Sequence, residues 1–531
     1  MRNILLSALL LGATDAAAQT APLAPIEQSA LASDALSTGL LSREAGALPA
    51  DLWRGASRED LAFLLGALPT RPSSPAIGQA MRRVLLSPAE SAPDGAIALG
   101  GAKLRSLAAS GFVDEAREIE GLSSGTQSDP GSVEAMAIAD LLAGDQQAAC
   151  DKGRRVEAAR DNSFWMRLRI VCYAAANELD AAELALGILG ERGRLSEIDR
   201  DLLAPLASGG KPKAPVAPKD ALHLAALKAM NMPISAGLLA NADGGVVAAV
   251  ARDPSGDWPT RLAAARLAAG MGVLGGAELK SLYAAAPTEA APAFKSIALM
   301  VAPEFIRDKA ARIAAEIAAA ADFEGLYAAS LLYADDIRAF EGAVVPAQEA
   351  RAFALARLAA GDAIGAERWL TAATPAMREG ADDADLMRFI DLVGILSVLD
   401  SSSGERVAAL ANVAAAKPPV ILPPAPSATD RNLAQLVGAA IGAAREGARG
   451  ASALAAIAAS DAAARGDAVA YAAMIESFAA AGLSDIVRRQ HVERAIAAIY
   501  PEARAAAAAG AATPASAPDG MVPRLKPKRE T

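Results

Sequence analysis

The 531-residue sequence is poor in the side chains that most enzymes use for metal binding and nucleophilic catalysis. It contains only two histidines and two cysteines, and aromatic residues make up 4% of the chain. Transition-metal sites are built mainly from His and Cys ligands, and His is the commonest general base. The composition therefore predicts no catalytic residue, no metal site and no cofactor, and we expect the protein not to be an enzyme.

Clustered positive charge and long apolar runs are also scarce. Lys and Arg together number 51 against 61 Asp and Glu, which gives a net charge of −10. Nucleic-acid binding needs clustered positive charge to contact phosphates. The one basic cluster, at Arg524, Lys526, Lys528 and Arg529, lies in a proline-containing tail that we expect to be solvated. After the N-terminus, no uninterrupted apolar run reaches the ~18 residues that a transmembrane helix requires. We expect no nucleic-acid partner and no transmembrane segment in the mature chain.

The first 18 residues have the pattern of a secretory signal peptide. Arg2 provides a positive charge, residues 4–11 form a short apolar stretch, and residues 16–18, all Ala, offer a cleavage site before Gln19. The apolar stretch is too short to span a bilayer. An ordinary buried first helix is the alternative interpretation. The signal-peptide interpretation predicts export to the periplasm or outside the cell.

The residues that are plentiful predict helices. Apolar residues make up 53% of the chain, and many of them are Ala, which has the highest helix propensity and little bulk. No segment shows the alternation of apolar and polar residues expected of a β-strand. The fold class is therefore predicted to be all-α, with thin and closely stacked helices.

Three short segments repeat at a step of 33 residues: Gly111–Ala116, Gly144–Ala149 and Asn177–Ala182. In each, a turn-forming residue is followed five positions later by an Ala that lies in the next predicted helix. A related segment, Gly361–Ala366, occurs once more, outside this register. A fixed period in the low thirties is typical of stacked helical hairpins.

These units resemble tetratricopeptide repeats (TPRs). The three turn residues stand where that motif has its turn glycine, the three Ala residues stand at its small position in the second helix, and Trp165 lies near the Trp of its first helix. The similarity covers about residues 95–195 and extends weakly to residues 345–375, without the motif's usual Tyr and terminal Pro. It implies a right-handed superhelix of antiparallel helical hairpins, a TPR-like α-solenoid in two or three segments. Its surface would bind proteins or peptides and catalyse no reaction.

Proline- and glycine-rich stretches divide the chain into segments. Residues 208–219 contain three prolines and two glycines, and residues 417–430 are again rich in proline, so neither stretch can continue a helix. The predicted organisation is, in chain order, a signal peptide (1–18), a flexible segment (19–35), TPR-like repeats (36–207), a linker (208–219), a second helical-repeat region (220–416), a proline-rich linker (417–430), an Ala-rich region of about four helices (431–500) and a disordered basic tail (501–531).

The two cysteines, Cys150 and Cys172, are predicted to form a disulfide. Cys150 falls in the second helix of the second repeat, Cys172 falls late in the first helix of the third, and Asp161 lies midway between them in a polar turn. Residues equidistant from the turn of an antiparallel hairpin lie side by side, which suits a disulfide. Closing a loop of about 22 residues stabilises a protein by roughly 3 kcal/mol, and an exported location permits it. Two buried free thiols are the alternative.

Two short matches to catalytic motifs are interpreted as loops. Residues 270–275 have the GxGxxG spacing of a dinucleotide-binding turn, but that turn needs a preceding strand, and a helix is predicted there. Residues 121–125 have the GxSxG spacing around Ser123, but a nucleophile elbow needs a preceding strand and a nearby His. The only histidines are His223 and His491, and we expect His223 to be packed or half-exposed.

Other notable residues also have structural interpretations. Asp382, Asp383 and Asp385 precede a predicted helix, where carboxylates suit the helix dipole. Acid–base work on a sugar would require a second positioned carboxylate. Gly438 and Gly442 form a GxxxG pair, for which we expect a close helix–helix contact within a soluble protein.

The combined features predict an exported, non-catalytic α-solenoid that binds other envelope proteins or peptides, as a scaffold or an assembly factor. The alternative is a peptidoglycan-active protein with an α-superhelical arm, similar to soluble lytic transglycosylases, which cut peptidoglycan with one Glu. Residues 431–500 lack the Gly- and aromatic-rich motifs of that catalytic domain, and Glu446, Glu476 and Glu493 are expected on solvated helix faces. A glycan-binding protein without catalysis is a third alternative.

Overall fold

The computed structural model describes residues 34–90, 96–157, 159, 161–379, 381–413 and 431–499. The predicted signal peptide, proline-rich linker and basic tail lie outside the described residues, as does the predicted flexible segment except for its last two positions. Helix is the only regular secondary structure in the described part of the chain, which confirms the prediction of an all-α fold.

Nine α-helices are described before the predicted linker at 208–219. They are α1 (Arg58–Gly66), α2 (Pro75–Leu86), α3 (Ala96–Ser110), α4 (Val113–Leu122), α5 (Pro130–Leu142), α6 (Gln146–Arg155), α7 (Ser163–Ala175), α8 (Leu179–Glu191) and α9 (Glu197–Ala207). Their starts follow from local sequence. Ser74 and Asp129 each accept a hydrogen bond from a backbone N–H of the first turn, and a Pro follows each of them, where its missing N–H costs nothing.

The next region continues with helices only. They are α10 (Ala221–Ala229), α11 (Gly244–Arg252), α12 (Trp258–Gly270), α13 (Gly276–Ala285), α14 (Pro292–Ala298), α15 (Ile306–Ala318), α16 (Phe323–Leu332), α17 (Ala334–Ala339), α18 (Ala347–Ala359), α19 (Ala363–Arg378), α20 (Asp383–Leu399) and α21 (Ser401–Ala411). Short 3-10 helices cover Thr126–Ser128, Ala236–Leu239 and Pro303–Phe305. Residues 208–219 contain no helix, as their prolines and glycines predicted.

The Ala-rich region has the predicted number of helices. They are α22 (Arg431–Glu446), α23 (Arg449–Ala464), α24 (Ala468–Ala480) and α25 (Ser484–Ile499). One face of α23 is so poor in bulky side chains that Gly450 lies against the carbonyl of Leu52 and the ring of Trp53. Small residues allow this close approach between helix and turn.

The predicted repeat turns are present between α3 and α4, between α5 and α6, and between α7 and α8. Gly111, Gly144 and Asn177 have φ angles of 105°, 83° and 60°, in the left-handed region that Gly adopts freely and Asn tolerates. Gly361 has φ 78° in the turn between α18 and α19. The Ala five positions after each of these residues is fully buried. The 33-residue spacing therefore identified three helix–turn–helix units correctly.

Helices do not begin at residue 36, where the repeats were predicted to start. Residues 34–57 form turns, and the first helix begins at Arg58. Gly46 and Gly55 have φ angles of 89° and 80°, which interrupt any helix in this segment. The segment is nevertheless packed, because Trp53 is only 2% exposed.

A buried lysine attaches this first segment to α3. Lys103 is fully buried, and its Nζ donates hydrogen bonds to the carbonyl oxygens of Leu36 at 3.2 Å and Thr38 at 2.6 Å. Burial lowers the pKa of Lys103 to about 7, with the charge of Asp34 acting in the opposite direction. The two carbonyl acceptors satisfy a polar group that would otherwise be costly to bury.

Helices that are far apart in the sequence also contact one another. Helix α2 contacts α23 and α25, α3 contacts α11, and α25 contacts α16, α18 and α20. In a simple solenoid each repeat contacts only its neighbours. The first and last helices of the described chain are therefore joined by direct tertiary contacts.

Residues 69–76, which we call the central segment, make many of these connections. Thr70 donates a hydrogen bond to Asp243 at 2.6 Å, and the Gly244 N–H donates to the Thr70 carbonyl at 2.8 Å. Arg71 donates to two backbone carbonyls just before α11, at 3.1 and 3.3 Å. The backbone polar groups of the central segment are thus satisfied by residues far along the chain.

Glu493 of α25 is buried at the start of α2, which corrects the expectation of a solvated helix face. It is 6% exposed, its Oε1 accepts the Ala76 N–H at 2.9 Å, and its Oε2 accepts the Gln490 side-chain amide at 2.8 Å. Burial raises the pKa of Glu493 to about 7, against the effects of Ser74, Arg489 and the Ala76 N–H. The expectation was wrong because the polar face of α25 packs on another part of the chain.

We predict that Gly78→Ala lowers the free energy of unfolding by about 1–3 kcal/mol. A Cβ on Gly78 would overlap the Met271 carbonyl in the turn after α12. Urea unfolding measures the effect. Gly187→Ala is the matched control, because Gly187 lies inside α8 with no heavy atom within 4 Å of an added Cβ. This control is expected to stabilise by up to about 1 kcal/mol. Equal stability of the two variants would contradict the close packing of α2.

We also predict that Glu493→Gln removes a pH dependence of stability. The folded-state pKa is about 7 against an ordinary value of 4.5, so between these values the folded protein retains a proton that the unfolded chain has released. The free energy of unfolding therefore falls as pH rises through this range, by up to roughly 3 kcal/mol relative to Glu493→Gln.

Chemical unfolding at pH 5, 6, 7 and 8 compares the two proteins. Glu476→Gln, on the exposed surface of α24, is the control and should follow the wild-type profile. If the free energy of unfolding depended on pH in the same way in wild type and Glu493→Gln, burial of this carboxyl would not be a source of pH-dependent stability.

Candidate interaction site

Cys150 and Cys172 lie at disulfide-bonding distance, with their Cα atoms 5.8 Å apart. Cys150 is in α6 and Cys172 is in α7, the helices in which the repeat spacing placed them, and these two helices contact each other. Asp161 lies in the connection between them, part of which is outside the described residues. The pair links the second repeat unit to the third.

His223 is buried in a cluster of charged residues, as the packed interpretation predicted. It is 2% exposed, its Nε2 lies 3.0 Å from Asp199, and its Nδ1 lies 3.2 Å from the Lys219 N–H, which donates to it. Arg167 forms ion pairs with Asp199 at 2.7 Å and Asp220 at 2.8 Å. The cluster joins α7, α9 and the start of α10, so it holds the third repeat unit against the next region.

The electrostatics of this cluster are those of a structural link. Burial alone would raise the pKa of Asp199, but the hydrogen bond with His223 and the charge of Arg167 lower it to about 2. Ser196 donates to Asp199 at 2.6 Å, as part of the cap of α9. A catalytic triad instead requires the hydroxyl to contact the imidazole. The cluster is therefore a set of paired charges without a nucleophile beside the base.

Both motif-like segments are loops, as predicted. Residues 270–275 form the turn from α12 to α13, and Gly272 has φ 71°. Ser123 directly follows α4, and its Oγ lies 2.6 Å from the Ile119 carbonyl and 3.0 Å from the hydroxyl of Thr38. Neither segment follows a strand, so neither has the geometry of a dinucleotide site or a nucleophile elbow.

The acidic residues before α20 have the predicted capping role. Asp382 accepts the N–H of Asp385 at 2.7 Å, as the N-cap of the helix. Asp385 forms an ion pair with Arg351 at 2.8 Å. One carboxylate thus satisfies an unpaired helix N–H, and the other neutralises a buried guanidinium.

The GxxxG pair is not at a close helix–helix contact, contrary to expectation. A Cβ on Gly438 or Gly442 would meet no heavy atom within 4 Å among the described residues. Helix α22 packs on α23 and α24, and Ala440 is its fully buried residue. Because residues two positions apart lie on nearly opposite sides of a helix, the glycine face points away from this contact.

A cleft of about 770 Å³, the first cleft, lies where α4 and the end of α5 meet α10, α11 and α12. Val113 and Gly144 line it from the repeat side. On the other side, Lys228 pairs with Asp253 at 2.6 Å. Burial acts to raise the pKa of Asp253, but hydrogen bonds from Lys228 and Ser255 lower it to about 2. Asp253 is therefore charged at neutral pH.

A second cleft of about 730 Å³ lies between α4, α5 and α6. Its lining combines apolar Met136, polar Gln127 and basic Arg155. Arg117 lines both clefts. Asp140 accepts hydrogen bonds from Arg117 at 3.0 Å and from Lys152 at 2.5 Å, so one carboxylate holds two cations between the clefts.

This arrangement suits the binding of a polypeptide segment. Both clefts combine apolar side chains with charges that are already paired and held in place, a composition typical of protein-binding surfaces. Neither brings a nucleophile, a base and an oxyanion-binding group together.

The sequence analysis identified the repeat units but none of the charged residues of the clefts. One signal was available for Asp140, because it is an acidic residue in an otherwise apolar helix (residues 135–142) and buried charges are usually paired. No such signal exists for Lys228 and Asp253. They meet the repeats only because α10 and α11 fold back onto α3 and α5.

The described part of the chain shows neither a metal site nor a membrane-spanning helix, and the chain has no match among known proteins. Within the described ranges, no three His, Cys, Asp or Glu side chains are grouped closely enough to hold a metal ion. None of the described helices combines the length and the hydropathy needed to cross a bilayer. No protein-family model, curated protein or solved structure matches this chain.

We predict that replacing both cysteines, Cys150→Ala with Cys172→Ala, lowers the free energy of unfolding by roughly 3 kcal/mol. The disulfide joins helices of two repeat units, and its loss frees the loop between them in the unfolded chain. Urea unfolding with and without a reductant measures the effect. Reductant should destabilise the wild type and leave the variant unchanged. A wild type insensitive to reductant would show that these thiols contribute no cross-link.

Proposed function

We propose that this protein is an exported, non-catalytic scaffold or assembly factor that binds other proteins or peptides in the bacterial cell envelope. The repeat units at about residues 95–195 would form a right-handed, TPR-like superhelical surface for this purpose. Two clefts of about 770 and 730 Å³, both lined by α4 and sharing Arg117, are the observation that carries the proposal. They offer a continuous binding surface across consecutive repeats.

The rigidity of these clefts supports recognition of a defined partner. Asp140 fixes Arg117 and Lys152, Asp253 fixes Lys228, and the cysteine pair ties the second unit to the third. Side chains that are ordered before binding lose less conformational entropy in the complex. A partner would therefore meet charges already in position.

Peptidoglycan cleavage, the alternative function, gains no support from the glutamates considered for it. Glu493 is hydrogen-bonded to the start of α2, and Glu446 and Glu476 are exposed on helix surfaces. A lone catalytic Glu acts within a substrate cleft, where burial raises its pKa so that it can donate a proton. None of the three lines any of the clefts described above.

We predict that the clefts cross-link to a partner protein in cells. A photo-cross-linking residue placed at Ser255 in the first cleft, or at Gln127 in the second, should give the same discrete adduct. The same residue at Glu405, exposed on α21, is the control and should give none. Adducts are separated on gels and identified by mass spectrometry.

A charge reversal tests whether the adduct depends on the clefts. Arg117→Glu should reduce the yield at least about fivefold, because it introduces a repulsive charge beside Asp140. Arg378→Glu, an exposed position on α19, should not change the yield. No adduct at either cleft position, or equal adducts at Glu405, would contradict the proposed function.

A further inference from the structure

A third cleft, of about 670 Å³, lies among α12, α13, α15 and α16, outside the repeat units discussed above. One wall consists of aromatic rings. The ring centroids of Tyr283 and Phe294 are 5.6 Å apart, and those of Phe294 and Tyr333 are 6.3 Å apart. The remaining apolar lining comes from Ala and Leu side chains such as Leu267. We call this the tyrosine cleft, and its volume is in the range of small-molecule sites.

Tyr333 lines the tyrosine cleft with a hydroxyl that lacks a partner. The residue is only 2% exposed, and within the described residues no group forms a hydrogen bond with its hydroxyl. The Tyr283 hydroxyl likewise has no hydrogen-bond partner in the described part of the chain. The Tyr333 oxygen is not fully enclosed by the described residues, so it is accessible from the cleft. A ligand in the cleft could therefore hydrogen-bond with it.

The charged residues of the tyrosine cleft are mainly acidic. Arg266 is its one basic lining residue, against Glu316, Asp322 and Glu324. Asp322 uses one oxygen to cap α16 through the Gly325 N–H, at 2.7 Å. Glu316 is exposed at the cleft and forms no ion pair within the described ranges. Glu316 therefore presents carboxylate oxygens that no protein cation neutralises in the described part of the chain. Glu324 differs, because burial raises its pKa while the charge of Arg71 acts to lower it.

Both tyrosines remain neutral in this environment. Burial, and then the charge of Glu316, raise the pKa of the Tyr333 hydroxyl far above its ordinary value. Burial also raises the pKa of Tyr283, with Arg266 acting in the opposite direction. Neutral phenols offer an electron-rich ring face and an oxygen that accepts hydrogen bonds.

We propose that the tyrosine cleft binds an organic ammonium ion, such as an aliphatic diamine. Ammonium groups are attracted to aromatic faces and to carboxylates, and their N–H groups donate to phenol oxygens. The Ala and Leu side chains of the lining suit the methylene chain of such a ligand. An anion would meet three carboxyl groups and one guanidinium, and a neutral polyol would gain nothing from the carboxylates. This site is independent of the protein-binding clefts.

Isothermal titration calorimetry on the full chain tests the proposal with 1,4-diaminobutane as the probe. We expect binding with Kd below about 1 mM, a modest affinity for a small ligand. The neutral analogue 1,4-butanediol is the matched probe and should give no binding. Absence of binding by the diamine, or equal binding of the diol, would overturn the proposal.

Four variants then locate the site. Tyr333→Phe and Glu316→Gln should each weaken diamine binding about fivefold, which corresponds to one hydrogen bond or one exposed charge. Tyr327→Phe, on α16 but outside the cleft lining, should leave Kd unchanged. Arg266→Ala should strengthen binding or leave it unchanged, because it removes the one competing cation.

Thermal unfolding separates binding from folding in these variants. Tyr333→Phe removes a hydroxyl without a partner, so the melting temperature should not fall. Weaker diamine binding by Arg266→Ala would show that the guanidinium supports binding instead of repelling the diammonium ion, and would overturn the assignment. Unchanged Kd in both Tyr333→Phe and Glu316→Gln would place the diamine elsewhere on the protein.

Discussion

The central segment, residues 69–76, is the constraint on which the rest of the described structure depends. Several of its polar groups are satisfied by distant parts of the chain: Thr70 by Asp243, Arg71 by carbonyls before α11, and the Ala76 N–H by Glu493. An unsatisfied backbone or charged group in such a buried position is costly. The helices before α11 and the helices after α22 are therefore held together through one short segment between α1 and α2.

This constraint also shapes the binding surfaces. Because α10 and α11 are held against α3 and α5, they form one wall of the first cleft, and a stack of repeats alone would lack that wall. The second cleft needs only α4, α5 and α6, so it belongs to the repeat units themselves. Arg117 lines both clefts and donates a hydrogen bond to Asp140 of the second cleft. The pair therefore connects the cleft formed within the repeat units to the cleft that depends on tertiary packing.

Prediction from sequence succeeded where short-range geometry decides the outcome. Gly and Asn adopt a positive φ at lower energetic cost than other residues. Their recurrence every 33 residues, at Gly111, Gly144 and Asn177, therefore marked the positions of the turns. The same spacing placed Cys150 and Cys172 on neighbouring helices. Prediction was wrong for Glu493 and for the Gly438 face, because a residue's environment depends on which helix packs beside it.

The sequence by itself determined the helices and their turns, because propensity and left-handed turns act within a few residues. Only the tertiary structure decided which polar groups are buried together. Asp140 pairs with cations of the two neighbouring helices, Glu493 pairs with the start of α2 far along the chain, and the hydroxyl of Tyr333 lines a cleft that several helices form together. Such contacts arise when the chain folds back on itself, and a local pattern carries no record of them.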